Sequence, residues 1–249
     1  MDKIALVTGA SSGIGRATAK YLAEEGYALI ICGRRKKRLD ELSQEVSVKT
    51  LILIFDVRIQ DDVVLAIDSI PDEWRKIDVL INNAGNAHGL SKLHEGNVED
   101  WDAMIDINVK GLLYVTKALV PQMVDRGSGH VVNIGSIAGK EVYPNGAVYC
   151  ASKHAVDAIN SGMRLDLLGT GVKVSQVCPG LVETEFSLVR FKGDSDKAST
   201  VYEGYKALQA EDIADLIRFI VTRPAHVNIA DTLVLPTAQV ASTMVDKNT

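Results

Sequence analysis

Cysteine is scarce in this chain of 249 residues, and the three present, Cys32, Cys150 and Cys178, stand far apart. They form neither a CxxC pair nor an even set, which excludes a disulfide framework and points to a reducing, cytoplasmic compartment. Each thiol lies in or beside an apolar segment, where a small buried side chain is the expected state. The five histidines show no HExxH or other paired metal spacing, so no metal held by the protein is expected. Basic charge is not in excess. Lys and Arg total 27 against 32 Asp and Glu, a formal net charge of -5, which leaves no footprint for nucleic acid. No apolar run approaches the ~20 residues that span a bilayer. The opening "MDKIALVTGA" has no charged-then-apolar leader with a small-residue cleavage site, so neither membrane nor export is expected. Internal repeats and low-complexity linkers are also missing, and one domain over residues 1–249 is expected.

What is present is a chain that is 47% hydrophobic, long enough to bury one large core. Short apolar runs rich in Val, Ile and Leu fall at 3–9, 28–33, 50–57, 77–85, 129–136, 172–180 and 231–236. Runs this continuous fit strands covered on both faces of a parallel sheet. Between them, amphipathic stretches predict helices at 14–25, 35–46, 61–70, 99–125, 148–169 and 211–222. In "IGRATAKYLAEEG", Ile14, Ala17, Tyr21 and Leu22 recur at helical spacing and Gly26 supplies the stop. Such alternation predicts an α/β fold, a doubly wound parallel sheet of about seven strands with helices on both faces. Ligands bind such sheets at the carboxyl ends of the strands, so function is sought in the loops after each run.

The first of these loops is "TGASSGIG", Thr8 to Gly15. Its glycines, Gly9, Gly13 and Gly15, allow a tight turn, and the helix that follows offers unpaired N–H groups to a phosphate. Ser11, Ser12 and Ile14 fill the rest of that loop. It is not a P-loop, because Arg16 follows Gly15 and no Gly-Lys-Ser/Thr occurs. At the end of the second strand a dinucleotide fold places the group that reads the adenosine ribose, a carboxylate in NAD sites. Here the sequence reads "CGRRKKRL", five basic residues in a row, with no acid before Asp40. Two guanidinium groups, Arg34 and Arg35, suit a 2′-phosphate, which a carboxylate would repel, and NADP is expected over NAD. Lys36, Lys37 and Arg38 are read as a solvated helix face. Asp56, closing the third run, is placed to accept from the adenine amino group, and Asn83 stands where the chain passes the adenosine ribose. Both also fit as cap or turn residues.

The densest signal is "NIGSIAGKEVYPNGAVYCASK", Asn133 to Lys153. Tyr149 and Lys153 are four apart at a helix start and share one face. A phenol is a poor base near neutrality, and a neighbouring ammonium is expected to lower its pKa and make Tyr149 a general acid/base. Ser136, ending the fifth run, offers a hydroxyl to a substrate oxygen. Taken in order, "TGASSGIG", "NNAG", Asn108 in "IDINVKG", Ser136, "YCASK" and "CPGLVETEF" resemble the short-chain dehydrogenase/reductase superfamily over essentially the whole chain. The resemblance implies a single-domain Rossmann fold and a tetrad of Asn108, Ser136, Tyr149 and Lys153. Tyr149 would exchange a proton with the substrate oxygen, Ser136 would hold that oxygen, and Lys153 would bind the nicotinamide ribose. Asn108 would hold a water that relays protons from Lys153. It further implies cofactor contacts from Asp56 and Val57, from Asn83, Ala84 and Gly85, and from Pro179, Gly180, Val182 and Thr184.

After Thr184, "EFSLVRFKGDSDKASTVYEGY" interrupts any helical pattern until about Ala198, which predicts a mobile lid over about 184–205. Arg190 and Lys192 sit there among apolar neighbours and suit a carboxylate as water is excluded; the bland reading is snorkelling surface cations. A narrower resemblance carries more weight. "EWRKIDVLINNAG", "VEDWDAMIDINVKGLL", "GLVETEFSLVRFKGD" and "RPAHVNIADTLVLP" are similar to the NADP-dependent serine and 3-hydroxy acid dehydrogenase group. That implies oxidation of the 3-hydroxyl of small acids such as serine, allo-threonine, 3-hydroxyisobutyrate or 3-hydroxypropionate, with Arg190 on the carboxylate. Reduction of another carbonyl, such as a 3-oxoacyl thioester, diketone, malonic semialdehyde or aldehyde, is the alternative, and a non-catalytic NADP-sensing module is the remote one. The superfamily also implies a homotetramer or dimer packed through the long helices at 99–125 and 148–169.

Overall fold

In β1 (Ile4–Thr8) all five residues are buried, as a strand covered on both faces requires. A computed structural model describes residues 3–248, so positions 1, 2 and 249 of the expected domain lie outside the described residues. Along the chain follow α1 (Gly13–Glu24), β2 (Ala28–Gly33), α2 (Lys36–Glu45), β3 (Thr50–Ile54), α3 (Gln60–Asp68) and β4 (Ile77–Asn82). The second half continues with α4 (Val98–Ile105), α5 (Gly111–Asp125), β5 (Gly129–Ile134), α6 (Ala147–Asp166) and β6 (Val172–Pro179). Next come β7 (Val182–Glu183), α7 (Phe186–Arg190), α8 (Ser195–Thr200), β8 (Leu208–Gln209), α9 (Ala210–Val221), β9 (Asp231–Val234), β10 (Gln239–Ala241) and β11 (Met244–Val245).

Seven strands form one parallel sheet in the order β3-β2-β1-β4-β5-β6-β9, the doubly wound architecture that the apolar runs predict. Period-two alternation divides the side chains between two cores. Ala5, Val7, Leu29 and Ile31 pack with Leu22, Ile213 and Ile217 on one face. Ile4, Leu6, Ile30 and Cys32 pack with Val63, Val115 and Leu119 on the other. Each such aliphatic side chain removed from water contributes about 1.5–3 kcal/mol, which is why the pattern dominates the local preferences. Strand order reverses between β1 and β4, so the connections leave in opposite directions and a crevice opens at the carboxyl ends.

Two expectations are corrected. The predicted helix at 99–125 is interrupted: a π-helical turn, Asp106–Lys110, lies between α4 and α5 and contains Asn108. Such turns widen a helix locally and re-aim a side chain, and hydrophobic periodicity is too coarse to reveal one extra residue. The segment after Thr184, expected to lack helix, forms α7 and α8. Lys192 (φ 55) and Gly193 (φ 93) turn the chain between them, and the Asp194 carboxylate accepts from the Lys197 N–H at 3.1 Å to start α8. Helices of five and six residues are too short to show a periodic face in sequence. Their two ends are gathered by the parallel pairing of β7 with β8. The C-terminal stretch returns over the crevice as the β10–β11 hairpin, where Gln239 Oε1 accepts from the Leu181 N–H at 2.9 Å.

The floor of the crevice is tied by one hydroxyl. Thr8 Oγ1 accepts from the N–H groups of Asn83 and Ala84, both at 3.0 Å, and donates to the Ile81 carbonyl at 3.2 Å. Thr8→Val keeps the shape but leaves the Ala84 N–H without its acceptor, while the Asn83 N–H keeps the Ile81 carbonyl at 3.1 Å. A loss of about 1–3 kcal/mol is expected in urea unfolding, the cost of one unpaired group.

Candidate active site

A cavity of about 550 Å³ follows the carboxyl ends of the sheet, lined at one end by Ser11, Arg34, Arg35 and Asp56 and at the other by Ser136, Tyr149, Lys153 and Arg190. That volume lies within the ~300–1,000 Å³ usual for ligand sites. Of the residues expected to hold a cofactor, Gly9, Ser12, Gly13, Ile14, Val57, Asn83, Ala84, Gly85, Pro179, Gly180, Val182 and Thr184 also line it. Gly15 does not line it. A Cβ there would stand 2.6 Å from the Gly9 carbonyl oxygen, so its glycine permits the turn to close on itself. Gly13 has φ +51, and an added Cβ would press on Thr184 at 3.3 Å. Asn83 braces the loop from β4, its Nδ2 donating to the Thr8 carbonyl at 2.8 Å. Ser12, the cap residue of α1, spends no side-chain bond on the helix, leaving the first-turn amides and the hydroxyl to an anion.

The basic run divides differently from the sequence expectation. Arg35 donates from Nε and Nη2 to Ser11 Oγ at 3.0 and 2.8 Å and from Nη2 to Ser12 Oγ at 2.6 Å. Arg34 leans on Asp56 Oδ2 at 3.4 Å. Burial works against the Asp56 carboxylate, but hydrogen bonds from Arg58 outweigh it and hold the group below its ordinary pKa. Lys36 pairs with Asp40 one helical turn away and remains a solvated face. Arg38 does not: it is bonded to Glu185, which also takes Arg35 Nη1 at 2.9 Å. Glu185 comes 147 residues after Arg38, and no local pattern announces the pair.

At the other end, α6 buries both members of the Tyr-x-x-x-Lys motif. Lys153 Nζ donates to the Ile134 carbonyl at 2.9 Å, and burial pushes its pKa down to about 8. The expected lowering of the Tyr149 pKa is overturned. Burial raises it, Tyr143 adds to the rise, and Arg190 and a hydrogen bond from Ser136 pull back only in part. A phenol in this pocket is therefore held in its protonated, donor form. Ser136 Oγ accepts from the Ala138 N–H at 3.1 Å, and the glycine before it lets β5 close against Gln176 and Cys178. Asn108 does not line the cavity. It accepts from the Asn86 N–H and donates to the Asn86 carbonyl, both at 2.8 Å, and also donates to Ser152 Oγ at 3.0 Å. Ser152 in turn donates to the Tyr149 carbonyl at 2.7 Å, so Asn108 couples the loop after β4 to the helix that carries Tyr149. Both of its N–H donors are committed to protein, so the side chain could offer a relay water only an acceptor.

The two candidate anion binders separate cleanly. Lys192 pairs with Asp100 at 3.0 Å and faces away from the cavity lining. Arg190 stands with its guanidinium carbon 4.9 Å from the Tyr149 ring centroid, 5.3 Å from Phe186 and 5.8 Å from Tyr143. Its Nη2 donates to Tyr143 Oη at 2.7 Å, while its buried Nε has no partner among the described residues. Tyr143 escapes the sequence reading because it lies in the interval between Ser136 and Tyr149, and Phe186 enters it only as an apolar neighbour of Arg190.

The residues fit a dinucleotide. The Arg35–serine cluster at one end, the buried ammonium of Lys153 at the other, and the glycine turn with the first-turn amides of α1 belong to one crevice. Among the described residues no group of three or more His, Cys, Asp or Glu could hold a metal ion. No described helix is long and apolar enough to cross a membrane. The short chain dehydrogenase family model matches residues 3–193. The NADP-dependent 3-hydroxy acid dehydrogenase YdfG of Salmonella typhi is 47% identical over 95% of this chain and 96% of its own. Sulfoacetaldehyde reductase 2 of Chromohalobacter salexigens is 45% identical over 96% of both. Among solved structures, the closed form of serine dehydrogenase complexed with NADP+ has a TM-score of 0.94 at 44% identity, covering 97% of this chain and 98% of that one.

The buried ammonium has a measurable signature. Its folded pKa, about 8, lies below the unfolded 10.5, so between those values the unfolded chain binds the extra proton and stability rises with pH. Below about 8 the buried charge costs on the order of 3 kcal/mol. Lys153→Met relieves that cost but orphans the Ile134 carbonyl at about 1–3 kcal/mol. Melting at pH 7 is expected to show a stabilised variant without turnover, its advantage shrinking as pH rises from 8 toward 10.

Proposed function

The chain belongs to the short-chain dehydrogenase family, and we propose that within it the protein is an NADP-dependent oxidoreductase of small anionic hydroxy compounds, foremost 3-hydroxy acids. The observation that carries this reading is Arg190, whose unpartnered Nε and guanidinium lie against the ring of Tyr149. A substrate oxygen hydrogen-bonded to Tyr149 and Ser136 would bring an anionic group a short distance away onto that guanidinium. The relatives' names agree with this spacing. A 3-oxo acid and sulfoacetaldehyde share one pattern, an anion separated by a single methylene from the reacting carbonyl. Sulfonate aldehyde reduction is therefore the second reading, favoured by the 45% identity to a reductase of that name.

NADP bound along the crevice supplies the hydride acceptor for oxidation or the donor for reduction. Tyr149, protonated in the free protein, gives its proton to the carbonyl oxygen in reduction; in oxidation it must first lose that proton, and as the phenolate it takes the proton of the alcohol. Ser136 holds the same oxygen. Lys153, with one bond to Ile134, has further N–H donors for ribose hydroxyls and a charge that favours the phenolate. Asn108 fixes the frame on which these groups stand. The lid over 184–205, gathered by the β7–β8 pair, brings Phe186 and Arg190 onto the substrate and excludes water. Exposed Leu113, Leu165 and Leu168, at 42%, 76% and 85%, support self-association through α5 and the end of α6, as a dimer or homotetramer. Three unpaired thiols accord with a cytoplasmic setting.

Tyr149→Phe is expected to reduce turnover by roughly 10²–10⁴ while NADPH still binds, read by cofactor fluorescence. Arg190→Ala should raise KM for 3-hydroxypropionate and serine about 10- to 100-fold, with little change for an uncharged alcohol. An equal effect on charged and uncharged substrates would remove the anion reading.

A further inference from the structure

The ion pairs at the adenosine end of the crevice do more than neutralise charge. Arg35 is the cap residue of α2, with its side chain 44% exposed, so neither the helix nor packing fixes its guanidinium. Three polar groups fix it instead. Its Nε–Nη2 edge is bonded to Ser11 and Ser12, and its Nη1 is bonded to Glu185. Hydroxyls that accept from the guanidinium still have their own hydrogens to donate. The edge spends its three N–H groups on the serines, whose hydroxyl hydrogens, backed by the guanidinium charge, make a donor surface on the cavity wall suited to a phosphate monoester. Glu185 is held from behind by Arg38, which does not line the cavity. With Arg34, Arg35, Arg38 and Arg58 set against Glu185 and Asp56, the cluster stays cationic.

We propose that Glu185 is a positioning residue for cofactor selection: by taking Nη1 of Arg35 and being anchored by Arg38, it keeps the opposite edge of Arg35 seated on Ser11 and Ser12, so that their hydroxyls donate toward the cofactor's 2′-phosphate beside the guanidinium charge. This rests on the NADP reading above. Glu185 directly follows Thr184, which touches the glycine loop, so the same side chain ties the base of the lid segment to the phosphate-reading arginine. The assignment also gives Arg38 a role at a distance, through Glu185 and Arg35.

The test is fluorescence titration of NADPH and NADH onto the full chain as wild type, Glu185→Gln and Arg38→Met, with melting curves to confirm folding. The wild type is expected to favour NADPH. In Glu185→Gln the NADPH dissociation constant should rise roughly fivefold, the scale of a half-exposed ion pair, and the ratio of NADPH to NADH affinity should shrink. Arg38→Met should shift that ratio in the same direction by a smaller factor. Equal weakening toward both cofactors would make Glu185 a mere cleft brace and overturn the proposal. Tighter NADPH binding would make the carboxylate a competitor of the phosphate, and would overturn it too. A wild type without preference for NADPH would remove the NADP reading itself and this inference with it.

Discussion

A single ammonium buried at the carboxyl ends of the strands sets the terms for everything around it. Lys153 is 7% exposed and has one hydrogen bond, to the carbonyl of Ile134. Keeping it there opposes folding near neutral pH, and only a large apolar core can offset such a cost. The two cores that sandwich the sheet supply that margin. The same burial that depresses the lysine pKa raises that of Tyr149, so the free protein presents a neutral phenol beside a weakened ammonium. A ribose that shares the lysine's donors and an anion seated on Arg190 would both change this balance, which makes protonation part of ligand binding.

Around that centre the polar groups are fixed by segments remote in sequence. Thr8 ties β1 to the loop after β4, Asn108 ties that loop to α6, and Ser152 passes the tie to the Tyr149 backbone. The segment after β6 adds two charged groups that line the crevice. Glu185 reaches the adenosine end and Arg190 the reacting end, five residues apart on one short stretch. One short segment would thus meet cofactor phosphate and substrate charge together.

Much of this was legible beforehand. Each of the seven main-sheet strands falls within a predicted apolar run: in the five inner strands burial on both faces leaves a continuous signature, while the edge strands β3 and β9 are apolar runs that stay partly exposed. The glycine loop, Ser136, Tyr149 and Lys153 were readable because their spacing reflects a turn and a helix face, both local. The direction of the Tyr149 pKa was not. Spacing shows that a lysine is near, but the desolvation that outweighs it comes from Phe186, Tyr143 and other groups on separate elements. The π turn at Asn108 was hidden for a similar reason, since one extra residue in a helix barely disturbs its apolar periodicity.

Local periodicity and turn chemistry, both properties of the chain itself, determined the doubly wound sheet, the glycine loop and the Tyr149–Lys153 pair on α6. Only the tertiary structure decided which charges act. It paired Lys192 with Asp100 and left Arg190 facing the phenol, and it joined Arg38 and Arg35 through Glu185. The physical reason is that charge and pKa depend on burial and partners within a few ångströms, and those partners come from segments distant in sequence, by as much as 150 residues for Arg35 and Glu185.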